Sequence, residues 1–234
     1  MAALGIVTGL RSEARAARHA MFKAGLAGGV ADVVCAGPGL AQARAAARRL
    51  VDAGARLLLS FGVAGALKGD LRPGTLLVPE TVLERDRPPL ATDGTPGELL
   101  VMALAATGPV SRGPLLSVGD VVVSAAQKAE LTASSDAIAI DMESYGVGEV
   151  AQAAGLPFMV LRAIADPAAR AIPPAALAGV TADGGVQPLK VLAALARTPG
   201  DAVELARLGR DNARAMASLG RAARLAFPLL LVGR

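Results

Sequence analysis

Pro157-Phe158-Met159-Val160-Leu161-Arg162-Ala163-Ile164-Ala165-Asp166 is an apolar run that ends on a carboxylate. Its first part, Pro157–Ile164, has the length and composition of a strand buried on both faces. Gly155 just upstream ends the preceding helix, Ser144–Ala154, as glycine commonly does past a helix terminus. The same rhythm runs backward through the chain. Strand-like segments stand at Ala3–Thr8, Ala31–Ala36, Arg56–Phe61, Thr75–Pro79, Leu115–Val118 and Ala137–Asp141. Helical segments fall at Ser12–Ala24, from Gly39 to Gly54, at Glu98–Ala106 and at Ala125–Ala133, and two or three more fill Pro174 to about Ala226. Short apolar strands alternating with helices predict a three-layer α/β/α sandwich around a mixed, largely parallel twisted sheet. No repeat or low-complexity linker divides residues 1–234, so one domain with a helical C-terminal extension is expected; Glu84–Gly97 reads as a long loop.

Composition narrows the function. The chain has 234 residues, 53% hydrophobic and 19% charged, which favours a folded core over disorder. Aromatics are 2% and Trp is absent, so stacking platforms for single-stranded nucleic acid are missing. The charge of +4 is carried largely by arginines on several helices: Arg11, Arg15 and Arg18; Arg44, Arg48 and Arg49; Arg207, Arg210, Arg221 and Arg224. They read as solvated faces, with attraction to anionic membranes or substrates as the sharper alternative. No recognition motif accompanies them, so a nucleic-acid partner is not expected. One cysteine (Cys35, in an apolar run) and one histidine (His19, on a helix) exclude a disulfide and leave no conventional zinc set. The chain opens directly into a strand-like run and Leu229–Val232 is too short to span a bilayer, so a cytoplasmic location is expected.

In open α/β sheets ligands bind at the carboxyl ends of the strands. Those ends deliver Gly9-Leu10-Arg11-Ser12-Glu13, Gly62-Val63-Ala64-Gly65, Gly119-Asp120, Asp141-Met142-Glu143 and Asp166. Several carboxylates and two glycine-rich turns are thus expected on one edge. Gly37-Pro38-Gly39 lacks the third glycine of a dinucleotide fingerprint, and no nucleophile elbow or phosphate loop is present.

Taken in order, these segments resemble the nucleoside phosphorylase and methylthioadenosine/S-adenosylhomocysteine nucleosidase superfamily. Gly62–Leu67 with Leu71–Val78 resembles the family's glycine-rich turn and following strand, and Ser117–Asp120 the segment lining the base pocket. Ile140-Asp141-Met142-Glu143-Ser144 is similar to its ribose-binding signature, and Leu161–Asp166 to the strand ending in its catalytic aspartate. The resemblance covers residues 3–168. Thr8–Arg15, Ser60–Gly65 and Asp166-Pro167 with Pro173-Pro174-Ala175 look most like the hopanoid-associated phosphorylases. That resemblance implies release of adenine from adenosylhopane, a nucleoside with a triterpene on its 5′ carbon. It also implies a homo-oligomer and no cofactor, with inorganic phosphate as co-substrate if the enzyme is a phosphorylase.

The resemblance assigns Asp166 as the acid that protonates N7 of the leaving purine and Glu13 as the activator of water. Glu143 would bind the ribose hydroxyls, Met142 would pack on the sugar, Val122 and Val123 would contact the base, and Ala64 and Gly65 belong to the turn beneath the substrate. Each carboxylate also has a bland reading: Asp166 as a cap, Glu143 and Glu13 as helix-start acids favoured by the dipole. The phosphorylases hold phosphate with an Arg and a Ser three residues later, positions occupied here by Ser60 and Val63. Arg11 and Arg15 would have to replace them beside Ser60, and Glu13 would repel a dianion, so hydrolysis is the expected chemistry. A methylthioadenosine or S-adenosylhomocysteine nucleosidase and a nucleoside sensor remain open beside it. A lipid-linked substrate would be met at a bilayer, through the Arg-rich helices after Pro199 and the tail Ala226–Val232; the tail could equally pack on its own domain.

Overall fold

The structure, a computed structural model, describes residues 3–26 and 29–232. In chain order its elements are β1 (Leu4–Thr8), α1 (Arg11–Lys23), β2 (Ala31–Cys35), α2 (Leu40–Asp52), β3 (Leu57–Ala66), β4 (Leu76–Leu77), β5 (Thr81–Leu83) and β6 (Leu90–Ala91). There follow α3 (Gly94–Ala105), β7 (Val110–Ser111), β8 (Leu115–Ser117), α4 (Ala125–Ser134), β9 (Ala139–Asp141), α5 (Ser144–Ala153) and β10 (Phe158–Asp166). Three helices complete the fold, α6 (Pro174–Leu177), α7 (Pro188–Arg197) and α8 (Ala202–Val232).

Strand β3 is the axis. One edge pairs with β10 in parallel, from Leu58 opposite Phe158 to Gly65 opposite Asp166. The other edge is shared. Leu57–Ser60 pair in parallel with β1, while Gly65 and Ala66 pair antiparallel with β9. The sheet continues from β9 through β8 and β5 to β6, and from β10 through β4 to β7, while β2 extends it beyond β1. Alternation along the central strands sorts side chains into two layers. Leu57, Leu59, Phe61, Met159, Leu161 and Ala163 face α1, α3 and α8. Leu58, Val160 and Ile164 face α2 and α5. Ser60, Gly62 and Arg162 share that second parity, so a polar row is built into an otherwise apolar face. The expected three-layer sandwich with a mixed, mainly parallel sheet is what the chain forms.

Three expectations change. Gly62–Gly65 is not a turn: β3 continues through it to Ala66, because β10 and β9 supply ladder partners along this stretch. The expected strand Thr75–Pro79 shrinks to Leu76–Leu77, and the loop expected over Glu84–Gly97 contains β6 and the first turn of α3. Short edge strands carry too few residues for periodicity to reveal them. The C-terminal tail packs on its own sheet. Ala226, Phe227 and Leu230 are buried, and Phe227 meets Phe61 edge-on with ring centroids 5.5 Å apart. The side chain of Val232 lies outside the described residues. Cys35, at the end of β2, is half-buried.

Candidate active site

Arg162 is a charged side chain in the middle of a buried strand, fully excluded from water. Isolated burial of a guanidinium would be prohibitive; here Nη2 is surrounded by acceptors, while Nε and Nη1 are buried without a hydrogen-bond partner. Its Nη2 lies 2.5 Å from Asp141 Oδ2 and 3.3 Å from Glu143 Oε2, and donates to Ser60 Oγ at 2.8 Å and Ser144 Oγ at 3.1 Å. Burial opposes the cation, but Asp141, Glu143 and Glu13 outweigh it and raise the Arg162 pKa further. Asp141 has a structural role besides. It accepts from the Ser144 amide at 3.1 Å at the start of α5 and from Ser117 Oγ at 2.5 Å, which locks β8, β9 and α5 together.

Glu143 stands beside it and is buried. Burial pushes its carboxyl up to about 8; Arg162 pulls the other way, and the charges of Asp141 and Glu13 push it higher. Its helix-start position does not use the side chain as a cap. The carboxyl instead lies over Gly9, where an added Cβ would come within 2.6 Å of Oε1.

Glu13 reaches the same place from α1. Oε2 accepts from the Gly9 amide at 3.1 Å and the Leu10 amide at 2.8 Å, which satisfies donors exposed at the helix start. Oε1 crosses to β3 and accepts from the Val63 amide at 2.8 Å. The side chain is therefore both a helix-start acid and a member of the polar cluster. Burial raises its pKa, against the lowering effects of Arg162 and the three amides. Gly62 is what admits it. A Cβ there would lie 2.6 Å from Glu13 Oε1 and would overlap the Arg162 guanidinium. The glycine clears space for two side chains and turns nothing.

Asp166 ends β10 at an irregularity. Register with β3 is lost between Ile164 and Asp166, so Ala165 is looped out and Asp166 falls opposite Gly65. Such a bulge re-aims the side chain that follows it. Oδ2 is bound by the ammonium of Lys128, a fully buried lysine from α4. Oδ1 is buried without a partner. Burial raises the Asp166 pKa, while the hydrogen bond and charge of Lys128 pull it down. Gly62 and Gly65 are three residues apart on one strand, which separates the Glu13 end from the Asp166 end by about 10 Å. A base and a sugar occupy a span of that order.

The other expected residues fall around this span. Ala64 and Gly65 lie on β3 between the two ends, Met142 is half-buried beside Glu143, and Val122 and Val123 are half-buried before α4, with Val123 O accepting from the Ile172 amide at 2.8 Å. The three phosphate candidates do not come together. Ser60 is fully buried, with its oxygen bound by Arg162 and by Ser144 at 3.0 Å. Arg15 is exposed on α1, and Arg11 is exposed and paired with Asp183. Surface clefts of about 410 Å³ between α2 and α5 and about 390 Å³ beside Arg170 and Glu204 contain none of Glu13, Glu143 and Asp166. Sequence reasoning gave no role to Arg162, Asp141, Ser144 or Lys128. Arg162 carried a usable signal, a lone charge inside a buried strand, whereas Lys128 sits in a weakly patterned helix that gave none.

No curated protein matches the chain significantly by sequence. Among solved structures, the Helicobacter pylori methylthioadenosine/S-adenosylhomocysteine nucleosidase with an Asp-to-Asn change and 5′-methylthioadenosine bound is similar over 95% of this chain and 98% of its own, at 19% identity and a TM-score of 0.67. The Helicobacter pylori futalosine hydrolase is similar over 70% of this chain and 89% of its own, at 22% identity and a TM-score of 0.61. The S-adenosylhomocysteine nucleosidase of Streptococcus pyogenes is similar over 71% and 84%, at 19% identity and a TM-score of 0.59. These likenesses establish the fold. Residues 10–196 match the family described as the phosphorylase superfamily, and the chain belongs to that superfamily.

Proposed function

We propose that this protein hydrolyses the N-glycosidic bond of a purine nucleoside and releases adenine from a 5′-substituted adenosine, adenosylhopane in hopanoid biosynthesis. The observation that carries the reading is the pairing of two buried acid sites along one strand end, Asp166 opposite Gly65 and Glu13 with Glu143 about the Gly62 and Gly9 backbone. Asp166 gives its proton to N7 of the purine as the C1′–N9 bond breaks, and the bonding electron pair leaves with the base. Positive charge grows on the sugar, as in other oxocarbenium-like transition states. Glu143 lies beneath that sugar and hydrogen-bonds its hydroxyls. Water adds its oxygen to C1′ and passes a proton to Glu13, so the products are adenine and the free sugar. A raised pKa suits Asp166 to donate near neutrality.

Water is favoured over phosphate by charge. Asp141 and Glu143 already pair with Arg162 Nη2 and Glu13 lies close by, so a dianion would meet three acidic side chains against one buried cation whose Nε and Nη1 alone lack partners. The triterpene rests on the likeness of Thr8–Arg15 and the Asp166-Pro167 segment to hopanoid-associated phosphorylases. Such a substrate would be met at the inner face of the cell membrane. The exposed arginines of α8, namely Arg207, Arg210, Arg214, Arg221 and Arg224, are the surface for that contact. Among the described residues no helix is long and apolar enough to cross a membrane. A cytoplasmic homo-oligomer without a cofactor completes the reading. Purified protein incubated with adenosine, methylthioadenosine and an adenosine bearing a long apolar 5′ group tests it. Free adenine should appear, fastest from the apolar substrate. No adenine from any of the three contradicts the reading, and a preference for methylthioadenosine contradicts the lipid substrate.

A further inference from the structure

Lys128 has a burial that its position on α4 does not explain. The helix is otherwise exposed along much of its length, yet this side chain is only 1% accessible. Its ammonium makes three contacts: to Asp166 Oδ2, to Pro167 O at 2.8 Å and to Arg170 O at 3.1 Å. Three donors thus meet three acceptors, one on the last residue of β10 and two on the segment that follows it. The same segment is held on its far side by the ion pair of Arg170 with Asp211 of α8. We propose that Lys128 is the positioning residue of the acid: it fixes Asp166 through Oδ2 and leaves Oδ1 as the oxygen that carries the proton to the base. The proposal rests on the reading of Asp166 as the general acid.

Chemistry gives the lysine a second task. A carboxyl buried without a counter-charge becomes too weak an acid to give up its proton readily, because the anion left behind is poorly solvated. Lys128 compensates that anion as it forms and returns the acid toward the range in which donation at neutral pH is efficient. The other charges facing Asp166 are Arg170 from its own segment and Asp211 from α8, which act in opposite directions. From β3 and β9 the neighbours at this point are Gly65 and Ile140, which carry none. Lys128 is therefore the cation in direct contact with the acid. Its geometry requires the proton on Oδ1, the unpartnered oxygen, since Oδ2 already accepts from the ammonium.

The test compares wild type with Lys128→Met, which keeps the volume without the charge, Lys128→Gln, which keeps a donor without the charge, and Lys128→Arg, which keeps the charge. Carbon NMR titration of the Asp166 carboxyl, assigned through Asp166→Asn, should show the midpoint moving up by about one pH unit or more in the Met and Gln proteins. In the Arg protein it should stay near wild type. The basic limb of kcat/KM for adenine release should move up in parallel, with kcat falling by about 10²-fold at neutral pH and KM little changed. A variant that loses only structural support would lose activity without moving either midpoint. If Lys128→Met does not fold, Lys128→Gln carries the comparison. Identical Asp166 midpoints in wild type and the charge-free variant overturn the proposal. Failure of wild type to release adenine would instead sink the nucleosidase reading, while the titration still decides whether Lys128 controls Asp166.

Discussion

Glu13 Oε1 accepts a hydrogen bond from the Val63 amide at 2.8 Å, which fastens the start of α1 to the middle of β3 across fifty residues of chain. That link makes Glu13 part of the sheet edge, at the point where β3 lacks a side chain because residue 62 is glycine. The arrangement binds a helix start, a strand and a buried ion cluster into one unit, and several consequences can be measured.

Gly62→Ala should be damaging although alanine is at home in a strand. Its methyl would press on Glu13 and Arg162, both buried and both tied to partners. Overpacking of this kind costs about 1–3 kcal/mol. A drop in thermal stability with at least a tenfold loss of adenine release is expected. A fully stable and active Gly62→Ala protein would show that the glycine is not there to admit the two side chains.

Glu143 should leave a signature in stability against pH. Its folded pKa of about 8 lies above the ordinary 4.5, so the folded state holds a proton that the unfolded state has released between these values. Stability from this group therefore falls as pH rises from about 4.5 to about 8, and the full cost is present above that. Melting curves of wild type and Glu143→Gln across this range should differ in slope, with the wild type losing more on the way up. Parallel curves would mean that Glu143 is not held protonated.

Glu13→Gln separates water from phosphate. Wild-type turnover should be unaffected by inorganic phosphate and should yield the free sugar. The Gln protein should be slower by about 10²–10⁴-fold, the usual worth of a general base. A strict need for phosphate with a sugar 1-phosphate product would overturn hydrolysis.

Vesicle sedimentation addresses the arginine face of α8. Each basic residue near an anionic surface contributes about 1 kcal/mol, so binding should be clear at low salt and lost at high salt. Because Phe227 and Leu230 are buried in the core, the tail is not expected to contribute. Absence of binding at low salt would remove peripheral association.

How much of this was legible in the sequence differs by element. The long central strands were readable because burial on both faces leaves a continuous apolar run, and Asp166 stood out as the carboxylate that ends one. Gly62–Gly65 was misread as a turn. Glycine signals only that a side chain is excluded, and what excludes it, Glu13 and Arg162, arrives from elsewhere in the chain. The paired strands β5, β6 and β7 were too short for any period to register. Lys128 was invisible for a related reason: a lysine on a weakly patterned helix reads as solvated until tertiary structure brings a buried carboxylate to it. The tail admitted two readings, and packing of Phe227 on Phe61 decided for the core.

Adenine release by folded Asp166→Asn protein tests the central claim most directly. Asparagine is nearly isosteric with aspartate and cannot hold the proton that N7 requires. Nucleoside binding should persist while turnover falls by about 10²–10⁴-fold relative to wild type, measured with the same 5′-substituted adenosine. Turnover equal to wild type in a correctly folded Asp166→Asn protein would contradict the assignment of Asp166 as the acid, and with it the account of how this sheet edge works.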